Sequence, residues 1–75
     1  MIEISKFNHL INGAAAKLHA AEETEGWKRL ALMGEAVELL ETAGSIGYAR
    51  VLRTVIDRET VEQKVRETPY VEDQR

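Results

Sequence analysis

The stretch "WKRLALMGEAVELLETAG" (residues 27–44) decides the fold of this 75-residue chain. Placed on a helix, its apolar residues cover about half of the circumference, and its polar and charged residues cover the other half. The apolar residues are Leu30, Leu32, Met33, Ala36, Val37, Leu39, Leu40 and Ala43. A helix that packs on one neighbour needs an apolar stripe of only about 100°. Residues 27–43 are therefore predicted to form a central helix with two or more neighbours.

Helical patterns flank this stretch on both sides. Residues 6–23 carry a narrow apolar stripe made of Phe7, Leu10, Ile11, Ala14, Leu18 and Ala21. After the central helix, Gly44 suits the left-handed position that ends a helix, and Ser45 can cap a third helix over residues 46–57. The predicted buried face of that helix is Tyr48, Val51, Leu52, Val55 and Ile56. We therefore expect an all-α fold, either a small three-helix bundle or a helical hairpin with a short C-terminal helical extension.

The extension begins where the apolar pattern changes phase, in "VIDRETVEQKV" (residues 55–65). Val61 and Val65 are rotated by more than a quarter turn from the apolar face of the preceding helix. Thr60 also starts the spacing of a capping box, which would begin a new helix there. We expect a kink or a break near residues 57–60, with the two valines outside the core.

The length of the chain limits how it can be stabilised. We expect a single helical domain over residues 1–67 and a flexible tail over residues 68–75, which hold the only proline. A chain this short buries only about 60–65% of its unfolded surface, so its core needs reinforcement. The absence of cysteine excludes disulfides and thiolate metal sites. A partner chain is the remaining common reinforcement, and we expect a homodimer.

Charge and hydropathy restrict the classes of partner. The net charge is −3, and no basic region is large enough to neutralise many phosphates, so nucleic acid is not an expected partner. No run approaches the ~20 apolar residues needed to span a bilayer. Glu3 and the lack of a long apolar run near the N-terminus argue against a signal peptide, so we expect a cytoplasmic protein. A dimeric DNA-binding regulator that uses Ile2 and Ile4 as a strand is an alternative, which the acidic Glu3 disfavours. The same two residues can instead simply extend the first helix.

No catalytic or metal-binding set is predicted, and we expect neither enzymatic activity nor a cofactor. No serine lies in a nucleophile-elbow context, and there is no cysteine. His9 and His19 would lie about 15 Å apart along a helix, too far to share a metal. His19 with Glu22 or Glu23 has the spacing of two metal ligands, but we interpret these residues as a solvated helix end.

A second alternative is an anion or nucleotide site at the start of the third helix. Two glycines there expose backbone N–H groups, and the helix dipole favours a negative charge. Two arginines follow within two turns, and the residues of this alternative are Gly44, Ser45, Gly47, Arg50 and Arg53. A tight interhelical turn, with Arg53 paired to Asp57 one turn later, explains the same residues.

The function that the sequence favours is regulation by binding. The chain offers more apolar helical surface than one small core uses, which is typical of a small adaptor, antagonist or inhibitor that docks on a larger protein. The expected partner-binding residues are Trp27, Leu30, Met33, Val37, Leu40, Val61 and Val65, and we expect the homodimer mainly on the broad face of the central helix. Trp27 can instead pack on the connection to the first helix. Close approach of another helix would explain Gly34 in mid-helix, where glycine costs about 1 kcal/mol against alanine.

Overall fold

The apolar stripes of the sequence become three helices. The computed structural model describes residues 3–67 and contains α1 (Ile4–Glu22), α2 (Gly26–Ala43) and α3 (Ile46–Glu67). No strand occurs within the described residues, so the all-α prediction is confirmed. The predicted boundaries of the first two helices are right to within two residues. Ile2 and the predicted tail at residues 68–75 lie outside the described residues.

The second helix, α2, lies between the other two and packs on both, as its wide apolar arc predicted. It supplies six of the ten buried apolar residues of the described chain. Within residues 3–67, no Cα atom of α1 lies within 8 Å of a Cα atom of α3, so the helices do not form a closed three-helix bundle. Both outer helices run antiparallel to α2, as shown by the side-chain contacts Lys17–Glu35 and Arg29–Ala21 to α1, and Arg53–Glu41 and Arg29–Glu59 to α3.

The core of the described chain is built largely from small side chains. Five of its ten buried residues are alanines, and the larger ones are Leu30, Met33, Val37, Leu40 and Leu52. Burying one large aliphatic side chain contributes about 1.5–3 kcal/mol, and an alanine contributes much less. The small side chains let the helices approach closely: a Cβ at Gly13 of α1 would lie only 3.3 Å from Leu39 Cδ1 of α2. The core is therefore tight but thin.

The turn between α2 and α3 forms around Gly44, as predicted. Gly44 has φ 90° and ψ 4°, the left-handed conformation that a side chain disfavours. The N–H groups of Gly44 and Ser45 donate to the carbonyls of Glu41 (3.0 Å) and Leu40 (2.9 Å). These two bonds close a Schellman motif and satisfy the last carbonyls of α2. Ser45 precedes α3 at the predicted position, and its carbonyl accepts the Ala49 N–H at 3.0 Å.

The third helix, α3, is continuous through residues 57–60, so the break that was one of the two expected alternatives does not occur, and the helical extension to about residue 67 is part of α3. The Thr60 hydroxyl donates to the Ile56 carbonyl at 2.7 Å, which is a bond within a helix and not a capping box. The reason for the continuity is that α2 remains beside this part of α3. Arg29 of α2 bonds to Glu59, and a Cβ on Gly26 would lie 3.8 Å from the Gln63 side chain. Glu59 and Gln63, which fall at core positions of α3, therefore lie beside the first turn of α2.

The buried face of α3 is narrower than predicted. Ala49 and Leu52 are buried, whereas Tyr48 and Val51 are 55% and 61% exposed. The prediction that Tyr48 and Val51 lie in the core is wrong because, of the described helices, only α2 packs closely on α3. One neighbour covers a stripe of about 100°, and these two side chains lie beyond its edge.

Gly34 and Gly44 should respond in opposite directions to alanine. A Cβ at Gly34 would meet no atom within 4 Å, so no helix of this chain approaches closely at this glycine. We expect Gly34→Ala to raise the free energy of unfolding by about 0.5–1 kcal/mol, because alanine is the better helix former. We expect Gly44→Ala to lower it by about 1–2 kcal/mol, because its φ is positive. Urea denaturation measures both, and shifts in the same direction would contradict the prediction.

Candidate functional site

Arg29 of α2 joins all three helices. Its Nε and Nη2 donate to Glu59 Oε1 (2.8 Å) and Oε2 (3.0 Å), a two-bond fork to α3. Its Nη1 donates to the Ala21 carbonyl in the last turn of α1 at 3.0 Å. A cation at a helix C-terminus also interacts favourably with the helix dipole. This arginine is the most extensively bonded polar side chain of the described residues, and its role is to hold the helices together.

The charges of this pair are mutually stabilised. The hydrogen bond from Arg29 lowers the pKa of the Glu59 carboxyl below its ordinary value, against the opposing effect of partial burial. The same bond raises the pKa of Arg29. The pair was not predicted from the sequence, although Glu59 gave a signal. A carboxylate at a core position of a helix needs a partner, and that requirement points to a cation on the neighbouring helix.

Four of the seven predicted partner-binding residues are buried within the chain. The exposed fractions of Leu30, Met33, Val37 and Leu40 are 8%, 4%, 2% and 2%. They pack between α1 and α3, so the broad face of α2 cannot also be the main surface of a homodimer. This expectation is corrected because the wide arc that suggested a partner chain is covered by two helices of the same chain.

The other three predicted partner-binding residues are on the surface. Trp27, in the first turn of α2, is 45% exposed. Val61 and Val65 of α3 are 61% and 68% exposed, which confirms that they do not share the core. The exposure of Val61 and Val65 is not due to separation of the end of α3 from α2, because Gln63, between the two valines, lies beside α2.

The two valines belong to a longer row on the solvent side of α3, which we call the outer stripe. Its members follow one another at alternating steps of four and three residues and are all exposed: Gly47, Val51, Thr54, Arg58, Val61 and Val65. The five steps average 3.6 residues, which is the repeat of an α-helix, so the row stays on one side of the helix. Three valines, each at least 61% exposed, share one side of α3. Sequence analysis found the second half of the row and assigned Val51 to the core.

The predicted anion site is not assembled as expected. Arg53 Nη2 donates to Glu41 Oε2 of α2 at 2.6 Å, and this bond raises the pKa of Arg53. The expected local pair between Arg53 and Asp57 is thus replaced by a contact between helices, with Asp57 acting only through its charge. Gly44 and Ser45 form the turn between α2 and α3. Arg50 and Gly47 are exposed at the start of α3, so only one arginine of the predicted pair is left for an anion.

The strand-forming arm of the DNA-binding alternative is also absent in its described part. Ile4 is the first residue of α1 and is 80% exposed. Ile4 therefore extends the first helix, which was the other expected alternative, and the strand that a DNA-binding arm would need does not include it.

Within residues 3–67, no group of three or more histidine, aspartate or glutamate side chains is placed to hold a metal ion. His19 lies 4.0 Å from Glu22 and 3.8 Å from Glu23, all three exposed at the end of α1 as the sequence indicated. None of the described helices is long and apolar enough to cross a membrane.

Comparison with known proteins adds no assignment. The chain matches no protein-family model, no curated protein and no solved structure. Function must therefore be argued from the residues themselves. Among the described residues, the outer stripe of α3 carries three exposed valines on one side of a helix whose other side packs on α2.

Proposed function

We propose that this protein is a small non-catalytic regulator, of the adaptor, antagonist or inhibitor type, that acts by docking α3 on a protein partner. The observation that carries the proposal is the exposure of Val51, Val61 and Val65 along one side of a helix whose other side is already packed. Apolar residues recurring at helical spacing are the anchors by which a helix binds a protein surface.

The shape of α3 supports this use. The helix is held to α2 from the buried Ala49 to Gln63, which lies beside Gly26, with the Arg53–Glu41 contact and the Arg29–Glu59 fork between them. Because it is already ordered by these contacts, docking of its outer stripe would not require the helix to fold on binding. A preformed helix loses less conformational entropy on association than a flexible segment. The charged residue in the row, Arg58, can restrict which partners fit.

The double change Val61→Asp with Val65→Asp should separate binding from folding. Both side chains are exposed, so we expect the helical circular dichroism signal and the melting temperature of the monomer to change little. Loss of two apolar anchors should weaken partner binding by at least about 1–2 kcal/mol. A photo-reactive residue at position 65 can capture the partner in a lysate of the native host, and titration of the captured partner then measures the loss.

The matched control for this experiment is Ile46→Asp. Ile46 is also in α3 and is 48% exposed, but it lies outside the outer stripe. The control should bind the captured partner like the unmodified chain. If the double change leaves affinity unaltered, or if Ile46→Asp weakens binding equally, the outer stripe is not the docking surface.

A further inference from the structure

We infer that the outer stripe is covered by a second copy of this chain, with the two α3 helices packed antiparallel about a two-fold axis at the level of residue 56. The inference rests on the proposed function, since it names the partner of the same surface. It differs from the expected dimer, because the broad face of α2 is buried within the chain.

The spacing of residues on α3 is the first support. A row with alternating steps of four and three residues fits the seam of a two-helix coiled coil. The inner side of α3 has the same spacing, displaced by two positions: Ser45, Ala49, Leu52, Ile56, Glu59 and Gln63. That inner row faces α2, with Ala49 and Leu52 buried. The outer stripe therefore has the same spacing as the inner row by which α3 already packs on α2.

The charge in the row selects the antiparallel orientation. In a parallel pair with matched register, Arg58 would face Arg58 of the second copy, and the two like charges would repel. In the antiparallel register, Arg58 faces Thr54 of the second copy, and Val51 faces Val61. Gly47 then faces Val65 of the second copy. All three pairings follow from one symmetric register, so the row is complementary to itself, as a two-fold interface requires.

The flanks of the row agree with this register on one side. Val55 would lie beside Val55 of the second copy at the two-fold axis, and the Tyr48 hydroxyl would face the carboxylate of Glu62. On the other flank, Asp57 would face its own symmetry mate and Arg50 would face Lys64 of the second copy, so like charges on this flank oppose the register. Arg53 of the same chain lies close enough to Asp57 to interact with its charge, which reduces the repulsion across the axis.

The thin core is the reason to expect that a second copy, and not an unrelated target, covers the outer stripe. Half of the ten buried residues of the described chain are alanines, and the chain has no cysteine to form a disulfide. Small domains with so little buried area commonly gain stability by association. A single helix-to-helix contact is at the small end of specific interfaces, so we expect a dissociation constant on the order of micromolar.

Single-cysteine variants test the register directly, because the natural chain has no cysteine. Val51 and Val61 are both 61% exposed, so replacing either with cysteine should leave the monomer folded. Val51→Cys and Val61→Cys are mixed in a glutathione redox buffer. We expect the mixed disulfide between the two variants to exceed either self-paired disulfide by at least about tenfold. Predominant self-pairing of each variant would overturn the antiparallel register.

A charge variant tests whether the two copies associate at all. Val51→Glu should raise the dissociation constant at least about tenfold, measured by sedimentation equilibrium, because the charge would be placed against Val61 of the second copy. Ile46→Glu adds the same charge to the same helix outside the row and should leave the dimer intact. A natural chain that is monomeric at about 100-fold above the expected constant would overturn the second-copy inference. The proposed docking on a captured target would still be decided separately by the Val61→Asp with Val65→Asp variant.

Discussion

Replacing Val37 with aspartate should unfold the chain. Val37 is 2% exposed at the centre of α2, where both outer helices pack, and no buried polar side chain is present among the described residues to accept the charge. An uncompensated buried charge costs about 3–5 kcal/mol. A helical domain of this size has only about 3–5 kcal/mol of stability from its core. We therefore expect loss of the far-ultraviolet helical signal and of the cooperative urea transition.

The matched control is Val61→Asp, the same chemical change at a valine that is 61% exposed. At concentrations where the chain is monomeric, the free energy of unfolding of this variant should differ from that of the unmodified protein by less than about 0.5 kcal/mol. A folded Val37→Asp variant would show that the arc of α2 is not the core. An unfolded Val61→Asp variant would show that α3 turns its outer stripe inward.

Replacing Arg29 with methionine should give the second largest effect, a loss of about 1–3 kcal/mol in the free energy of unfolding. The change keeps the aliphatic stem but removes the two bonds to Glu59 and the bond to the Ala21 carbonyl. The Glu59 carboxylate, which is 27% exposed, would then lack its cation. Urea denaturation of Arg29→Met measures the loss.

The matched control for the arginine is Lys17→Met. Lys17 also pairs with a glutamate across helices, at 2.7 Å from Glu35, but both side chains are more than 40% exposed. Exposed ion pairs contribute about 0–1 kcal/mol, so this variant should lose much less stability. Equal losses in the two variants would show that the fork contributes no more than an ordinary surface pair.

The same pair predicts how stability depends on pH. The pKa of Glu59 is lowered in the folded chain, so folding favours its charged form. This contribution is fully present above the ordinary value of 4.5 and is lost as the pH falls through the lowered folded pKa. We expect Glu59→Gln to be less stable than the unmodified chain at neutral pH and to lose less of its stability in acid. Parallel urea curves from pH 7 to about pH 2 measure the difference, and identical pH profiles would contradict it.

The sequence by itself determined that the chain is helical and that the second helix is the central one. Periodicity is a local property, and the wide arc of residues 27–43 was enough to place α2 between two neighbours. The left-handed turn at Gly44 also followed from local chemistry, because a residue without a side chain is suited to that φ. The phase of Val61 and Val65 placed both valines outside the core before any contact was known.

The candidate docking surface was predicted only in part. The phase of the apolar pattern predicted that Val61 and Val65 lie outside the core. The apolar pattern also placed Val51 in the core and the broad face of α2 against a partner, and these two predictions are wrong. Periodicity shows that an apolar face is buried, but it does not show whether the same chain or another chain buries it. In this fold α1 and α3 cover α2, and the uncovered face is the outer stripe of α3.

Only the tertiary structure decided the contacts between residues far apart in the sequence. Arg29 and Glu59 are 30 residues apart, and their bond supports α3 where the local pattern indicated a kink or a break. Arg53 has Asp57 one turn away but bonds to Glu41, 12 residues back, because α2 brings that carboxylate within 2.6 Å. The energies of the local alternatives differ little, so packing of the helices selects among them, and packing depends on side chains that no local window contains.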